Sequence, residues 1–447
     1  MATTHAVLDD QHMYLCQVVD GQRRMRRVQI GAPTNVGDVY QLARQHSITH
    51  MWAQPGSAVD VKDEEFYDTL PDGFNLFVAR EDKNNPKSLA TSFRVYKPGT
   101  YGAIYVGFPT RGRWQWDYMD PLDILSAVLY LEQVLGTTIQ WSPNHVGMAL
   151  VKKQYASDPK RQTWVRESEI DLNSLPFDRA AADVLWSCPL NPTDVGKWIH
   201  HYDKNSAYLS GCQGVSLGCG TPVHRINDIN PDLAGIYRVS YTTGSNWDEA
   251  LLPPIITTEW ITRDLLKFAE VHGYTITIHE AYQFEESHQL LRPWASLLWD
   301  ARAALKDANP EFPHEHGRLN AYYTIKEVAL IGVGQFASDK FAHQFMRPNW
   351  WADVVSKARV TLLYNLTSFE DALNTPFMVY SDGLWFVSNT ENPESAVPGI
   401  LKRAGQLGGY KHVYSAMCTQ EIVEKSQRLS QNPSKFVSYL HRCAGYR

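Results

Sequence analysis

The 447-residue chain contains no run of eighteen or more apolar residues, which excludes a membrane-spanning helix. Its first residues show no basic region, apolar stretch and small-residue cleavage site in succession, so no secretory leader is read there. Its six cysteines, Cys16, Cys188, Cys212, Cys219, Cys418 and Cys443, have no paired spacing. That excludes a disulfide framework and a four-cysteine zinc site, and points to free thiols in a reducing, cytoplasmic setting. There is no basic excess either: 42 Lys and Arg stand against 48 Asp and Glu, a formal charge of -6. A generic nucleic-acid coat is disfavoured, whereas an enzyme that needs cations along one channel only is not. Neither an internal repeat nor a low-complexity tract is visible.

What the chain does have is 44% hydrophobic content, enough for two or three folded cores, and 14 Trp and 23 Tyr, which fill cores and also offer stacking surfaces for bases. The first 154 residues read as mixed strand and helix, with strands over Met13–Val19, Phe74–Ala79 and Ala103–Phe108. A helix opens at Asp120-Pro121 and stops at Gly136. Residues 155–195 are polar and punctuated by proline, as a linker or crossover would be. Beyond Trp198 the pattern predicts a strand at Gly235–Tyr241, a helix at Thr258–Val271 and a strand at Tyr274–His279. Helices follow at Leu290–Lys306, Leu319–Ala337 and Trp350–Leu366, then two strands around a tight turn at Ser381–Gly383. The fold class expected is α+β (mixed).

Four segments carry the chemistry. In Trp198–Leu209 a strand ends in Asp203, with Ser206 and Tyr208 following; an Asp there can bind a divalent metal, and the turn after it exposes backbone N–H groups. The same Asp also suits the plain opening of a helix. In Leu297–Lys306, Arg302 and Lys306 stand four apart on one helical face, able to grip phosphate oxygens or simply to form a solvated stripe. Tyr323–Gly334 contains Lys326, and Val379–Phe386 contains Asp382 in a turn between strands.

Taken in order, these segments resemble motif A, the first fingers helix, motif B and motif C of family B DNA polymerases, in their compact protein-primed, plasmid- or phage-type branch. The resemblance covers residues 198–415. It implies a right-hand palm and fingers, with Asp203 and Asp382 as catalytic metal ligands for Mg²⁺ (or Mn²⁺). It also implies Ser206, Tyr208, Arg302, Lys306 and Lys326 as nucleotide-binding residues, Tyr208 excluding a 2′-hydroxyl. The domains implied are an exonuclease-like domain at 1–190, palm at 191–290, fingers at 291–348, palm at 349–400 and a short thumb at 401–447. Three positions depart from the family. Tyr380 replaces the first Asp of motif C, with Ser381-Asp382-Gly383 aligned on Thr-Asp-Ser. Leu330, Ile331 and Val333 replace the polar residues of motif B. The strand that runs into Asp20 lacks the glutamate a proofreading nuclease needs, so the N-terminal region reads as an RNase H-like domain without its nuclease, or as an unrelated scaffold.

The activity implied is two-metal nucleotidyl transfer from dNTPs to a primer 3′-hydroxyl on a DNA template-primer, without proofreading. A priming or replication protein is a further expected partner, and a membrane is not. Two alternatives stay open: an inactive polymerase-fold protein that binds nucleic acid or initiates replication, and a primase-like or template-independent transferase. Lys411, in Tyr410–Tyr414, resembles the primer-holding Lys-x-Tyr element with one residue too many. His314 and His316 read as solvent-exposed, and the Arg23–Arg27 run as a basic hairpin edge.

Overall fold

The computed structural model describes residues 5–19, 22–54, 72–80, 90–98, 103–108, 120–139, 143–156, 168–181, 184–244, 246–338, 347–367 and 375–445, with single residues between them. Asp20 lies outside the described residues. Two compact units divide the chain, and both are discontinuous. One is residues 1–153 with 297–332; the other is 154–296 with 333–447. Among the described residues no helix is long and apolar enough to cross a membrane.

The first unit is built on a seven-stranded mixed sheet. An antiparallel meander of His5–Leu8, His12–Val19 and Gln22–Gln29 is followed by His50–Ala53 and Ile104–Gly107, which run parallel to His5–Leu8 and to each other in turn. Ala90–Tyr96 and Asn75–Arg80 complete the far edge as an antiparallel hairpin. Alternation along the strands separates the two faces. Ala6 and Leu8 join Val36, Val39 and Tyr40 of the Val36–Gln45 helix in one core. His5, on the other face, bonds Glu132 of the Pro121–Leu135 helix at 2.8 Å. That helix starts and stops where its sequence says: Asp120 accepts from Leu122 N at 2.8 Å, and Gly136 closes it at φ 59°.

The second unit centres on a five-stranded antiparallel sheet, ordered Tyr410–Met417, Trp198–Lys204, Gly383–Ser388, Met378–Tyr380, Leu185–Ser187. It is covered on both faces, which explains the nearly unbroken apolar run of Gly383–Val387. Tyr202, Leu384 and Phe386 pack against helices Arg263–Val271 and Pro348–Thr367. Ile199, Trp385 and Tyr414 pack against Gln420–Leu429 and Pro433–Cys443. Each fully buried Leu or Phe of this kind stabilises the unit by roughly 1.5–3 kcal/mol. A four-stranded sheet of Val223–Arg225, Thr275–Phe284, Ala234–Thr242 and Trp260–Thr262 stands beside it.

Two expectations need correction. The helix expected from Thr258 begins only at Arg263, because Trp260, Ile261 and Thr262 pair with Arg238, Tyr237 and Ile236 as a strand. The 155–195 segment is more than a linker: Phe177 and Ala180 are buried in a core, and Leu185–Ser187 is a strand of the central sheet.

Candidate active site

Asp203 is the penultimate residue of the Trp198–Lys204 strand, and its cross-strand partners are Gly383 on one side and Lys411 on the other. Asp382 immediately precedes Gly383, in a two-residue loop closed by the Tyr380–Gly383 pair. The register therefore brings the two motif aspartates to one end of the sheet. Both are partly exposed. Their charges act on a common neighbour: burial, and after it Asp382 and Asp203, push the Tyr410 hydroxyl to a higher pKa, against the lowering effect of Asn365.

Backbone strain gathers here. Four described non-glycine residues have positive φ, and two of them are Ser381 (54°), directly before Asp382, and Ser206 (50°), three after Asp203. Each such residue costs on the order of 1–3 kcal/mol and persists only where its surroundings fix it. The surroundings of Ser206 are visible. Asn205 N donates to Gly409 O at 2.8 Å, Gly408 N donates to Asn205 O at 2.9 Å, and the Asn205 side-chain amide donates to Ala404 O. Gly408 has φ 74°, and a Cβ on it would meet Ser210 Oγ at 2.6 Å. This clamp was not foreseen from the sequence; its one written signal is Gly408-Gly409 ahead of Lys411. Ser206 then stands at the N-cap of the Ala207–Gly214 helix, its side chain making no capping bond to the helix, and Tyr208 lies half-buried beside the core that includes Trp351 and Val355. Gly211 lets this helix close on its neighbour, since a Cβ there would stand 2.8 Å from Val354 O.

Lys411 Nζ lies 2.9 Å from Asp203 Oδ2. The extra residue in its motif is absorbed by a register shift between His412 and Tyr414. Because Lys411 pairs with Asp203 and Tyr414 with His201, the shift puts Lys411 and Tyr414 on one face, as a two-residue spacing would. Tyr414 is buried and accepts from Trp385 Nε1 at 2.9 Å. Trp385 stacks on His201, centroids 3.9 Å apart and planes 4° from parallel. Burial, then the cationic forms of His441, His412 and Lys411, hold the His201 imidazole at a pKa of about 3. Gly383 is fitted to this stack, since a Cβ there would stand 2.8 Å from two Trp385 ring carbons and 2.9 Å from His201 Nε2.

Arg302, Lys306 and Lys326 belong to the other unit. Arg302 is braced by Tyr322, donating to its hydroxyl at 3.0 Å with the guanidinium carbon 4.6 Å from the ring centre. Lys306 is exposed at the end of its helix. Lys326 lies one turn beyond Tyr322, on an exposed stripe with Tyr323, Leu330 and Gly334. Val333, at another altered motif B position, is buried. His314 and His316 are exposed and approach opposite oxygens of Asp123 at 3.3 and 3.4 Å. The side chains of Arg23 and Arg24 lie outside the described residues.

Among the described residues no group of three or more His, Cys, Asp and Glu side chains could hold a metal by itself. One carboxylate near a strand end and one in the turn beside it nevertheless suit Mg²⁺, which is commonly held by one or two carboxylates while substrate phosphates and water complete its shell.

No family model matches this sequence, and no curated protein matches it. Solved structures do. Phi29 DNA polymerase bound to primer-template DNA is similar over 93% of this chain and 85% of its own, at 10% identity and a TM-score of 0.53. Its ternary complex with primer-template and incoming nucleotides gives 9% identity, 93% and 86% coverage and a TM-score of 0.53. An orthorhombic crystal form of the same polymerase gives 10% and 0.50. Likeness at this identity speaks for architecture: the chain has the DNA polymerase fold of the phi29 type, which is the fold the family B motifs led one to expect.

Proposed function

We propose that this chain is a DNA polymerase, adding nucleotides from dNTPs to a primer 3′-hydroxyl. The observation that carries the reading is the cross-strand register that sets Asp203 against Gly383, next to Asp382, within a polymerase fold. Asp203 and Asp382 would hold Mg²⁺, which when bound acidifies the attacking hydroxyl and neutralises the leaving pyrophosphate. The chain's own residues position and hold charge. The opening turn of the Ala207–Gly214 helix, which the Ser206 side chain does not cap, suits a triphosphate, and Tyr208 follows Asp203 at the spacing of a sugar-excluding tyrosine. Arg302, Lys306 and Lys326 supply phosphate contacts, and Lys411 the primer contact. In the first unit, a meander followed by two strands parallel to its first strand supports reading residues 1–190 as RNase H-like.

A second reading has specific support. Lys411 already occupies one oxygen of Asp203, Tyr380 stands where the family has an Asp, and Leu330, Ile331 and Val333 replace polar residues. Those features favour a polymerase-fold protein that binds nucleic acid without extending it. Primer extension with Mg²⁺ or Mn²⁺, with and without template, separates the two and also isolates a template-independent transferase. Under the first reading the wild type extends a templated primer, and Asp203→Asn or Asp382→Asn lowers the rate at least 100-fold, as loss of several kcal/mol of transition-state stabilisation requires. Extension by both variants at the wild-type rate removes the site assignment.

A further inference from the structure

The first unit contains an arginine that has no carboxylate partner among the described residues. Arg94, on Ala90–Tyr96, is half-buried, and its Nε is sealed from solvent with no hydrogen-bond partner. Among the described residues it makes no ion pair; its neighbours are aromatic. The guanidinium carbon lies 5.9 Å from the Phe77 ring centre and 5.4 Å from that of Tyr96. Register explains the arrangement: Phe77, Arg94, Tyr105, His50 and His5 are successive cross-strand partners, forming one row across the sheet. The His5 end is covered by the helix that carries Glu132. At the other end Phe77 sits on an edge strand and is 59% exposed, although its sequence neighbours Leu76 and Val78 pack inward. At this Phe77 edge is a cavity of about 160 Å³ whose described lining is Phe77, Ser92, Phe93 and Arg94.

A half-buried cation with no carboxylate is costly unless a ligand completes it. An exposed phenylalanine beside it offers a stacking face, and the cavity has room for one flat ring, since a void of roughly 150 Å³ holds a benzene. An aromatic platform with an unanswered guanidinium is the combination that takes an unpaired nucleotide, base on ring and phosphate on arginine. We infer that Phe77, Arg94 and Tyr96 form a binding site for one unpaired nucleotide of a single-stranded DNA segment. The site does not depend on Asp203 or Asp382 and stands whether or not the chain extends primers.

The test uses the full chain and a single-stranded oligothymidylate carrying one 5-iodouracil, read by fluorescence anisotropy and by photocrosslinking with peptide mapping. Crosslinks should fall on Phe77 or Tyr96. Phe77→Ala should weaken binding about 5- to 150-fold, the range of one lost base stack. Arg94→Gln should lower the slope of log affinity against log salt by about one, as for one lost phosphate contact. Phe77→Trp should bind at least as well as the wild type. Because Phe77 is exposed, its variants should keep the wild-type circular dichroism spectrum, and the salt slope of Arg94→Gln is read on protein shown to keep it too. The same strand bound with unchanged affinity by Phe77→Ala and Arg94→Gln, or crosslinks confined to other residues, would overturn the inference. So would displacement by free thymidine monophosphate at the oligonucleotide's own concentration, which would make the ligand a free nucleotide.

Discussion

At Gly383 a single methyl group perturbs stability and chemistry together. In Gly383→Ala the added Cβ would stand 2.8 Å from two outer carbons of the Trp385 indole and 2.9 Å from His201 Nε2, closer than nonbonded atoms come. The indole cannot easily retreat. It is 2% exposed, bonded to Tyr414 and stacked on His201, so the backbone at residue 383 must give way instead. Overpacking of a full core costs about 1–3 kcal/mol. The backbone that moves is joined to Asp382, and a shift near 1 Å in a reacting constellation costs on the order of 100-fold in rate. Urea denaturation should therefore show a loss of about 1–3 kcal/mol, and primer extension by the folded protein should fall about 100-fold. The clashing carbons belong to the benzo ring, which phenylalanine lacks. Trp385→Phe in the same chain should consequently restore part of both losses, a non-additivity expected of neighbours in contact. Wild-type stability and extension in Gly383→Ala, or strictly additive effects in the double variant, would show that the stack does not set the position of Asp382.

Two further outcomes are expected. Tyr208→Ala, read by competing ribonucleotide against deoxyribonucleotide insertion, should relax sugar discrimination while extension persists; a folded variant with an unchanged ratio refutes the steric role. Acid should destabilise the second unit through His201: its folded pKa of about 3 lies below the unfolded value of 6.5, so its contribution is complete above 6.5 and is lost as pH falls toward 3. At pH 5 the loss is about 2 kcal/mol, and denaturation at pH 7.5 and 5.0 should show it reduced by that amount in His201→Phe; an equal acid loss in both proteins counts against the buried neutral imidazole.

Much of this fold could be read locally. The Asp120 cap and Gly136 stop bound their helix in the sequence as in the structure, and the two-residue turn before Gly383 is where the apolar strands meet. What escaped depends on partners far away in the chain. Trp260–Thr262 continues a helical pattern, and only its pairing with Ile236–Arg238 makes it a strand. Leu185–Ser187 is three residues long and acquires a role only against Met378–Tyr380. That Asp203 and Asp382 belong to segments meeting at one end of a sheet was legible because motif spacing is written along the chain. The Lys411–Asp203 contact was not, because a bulge that absorbs one residue leaves no mark in composition. The aromatic row at Phe77 escaped for the same reason: cross-strand register places its members side by side.

The clamp on Asn205 limits how the chain can change length. Residues 404–409 look like a glycine-rich surface connection, the sort that ordinarily tolerates insertion. Here its carbonyls and amide hold the turn after Asp203, and the same backbone runs directly into the strand that delivers Lys411. One extra residue in that loop would have to break the Asn205 bonds or shift Lys411 along Asp203's strand, so acid and base would lose their register together.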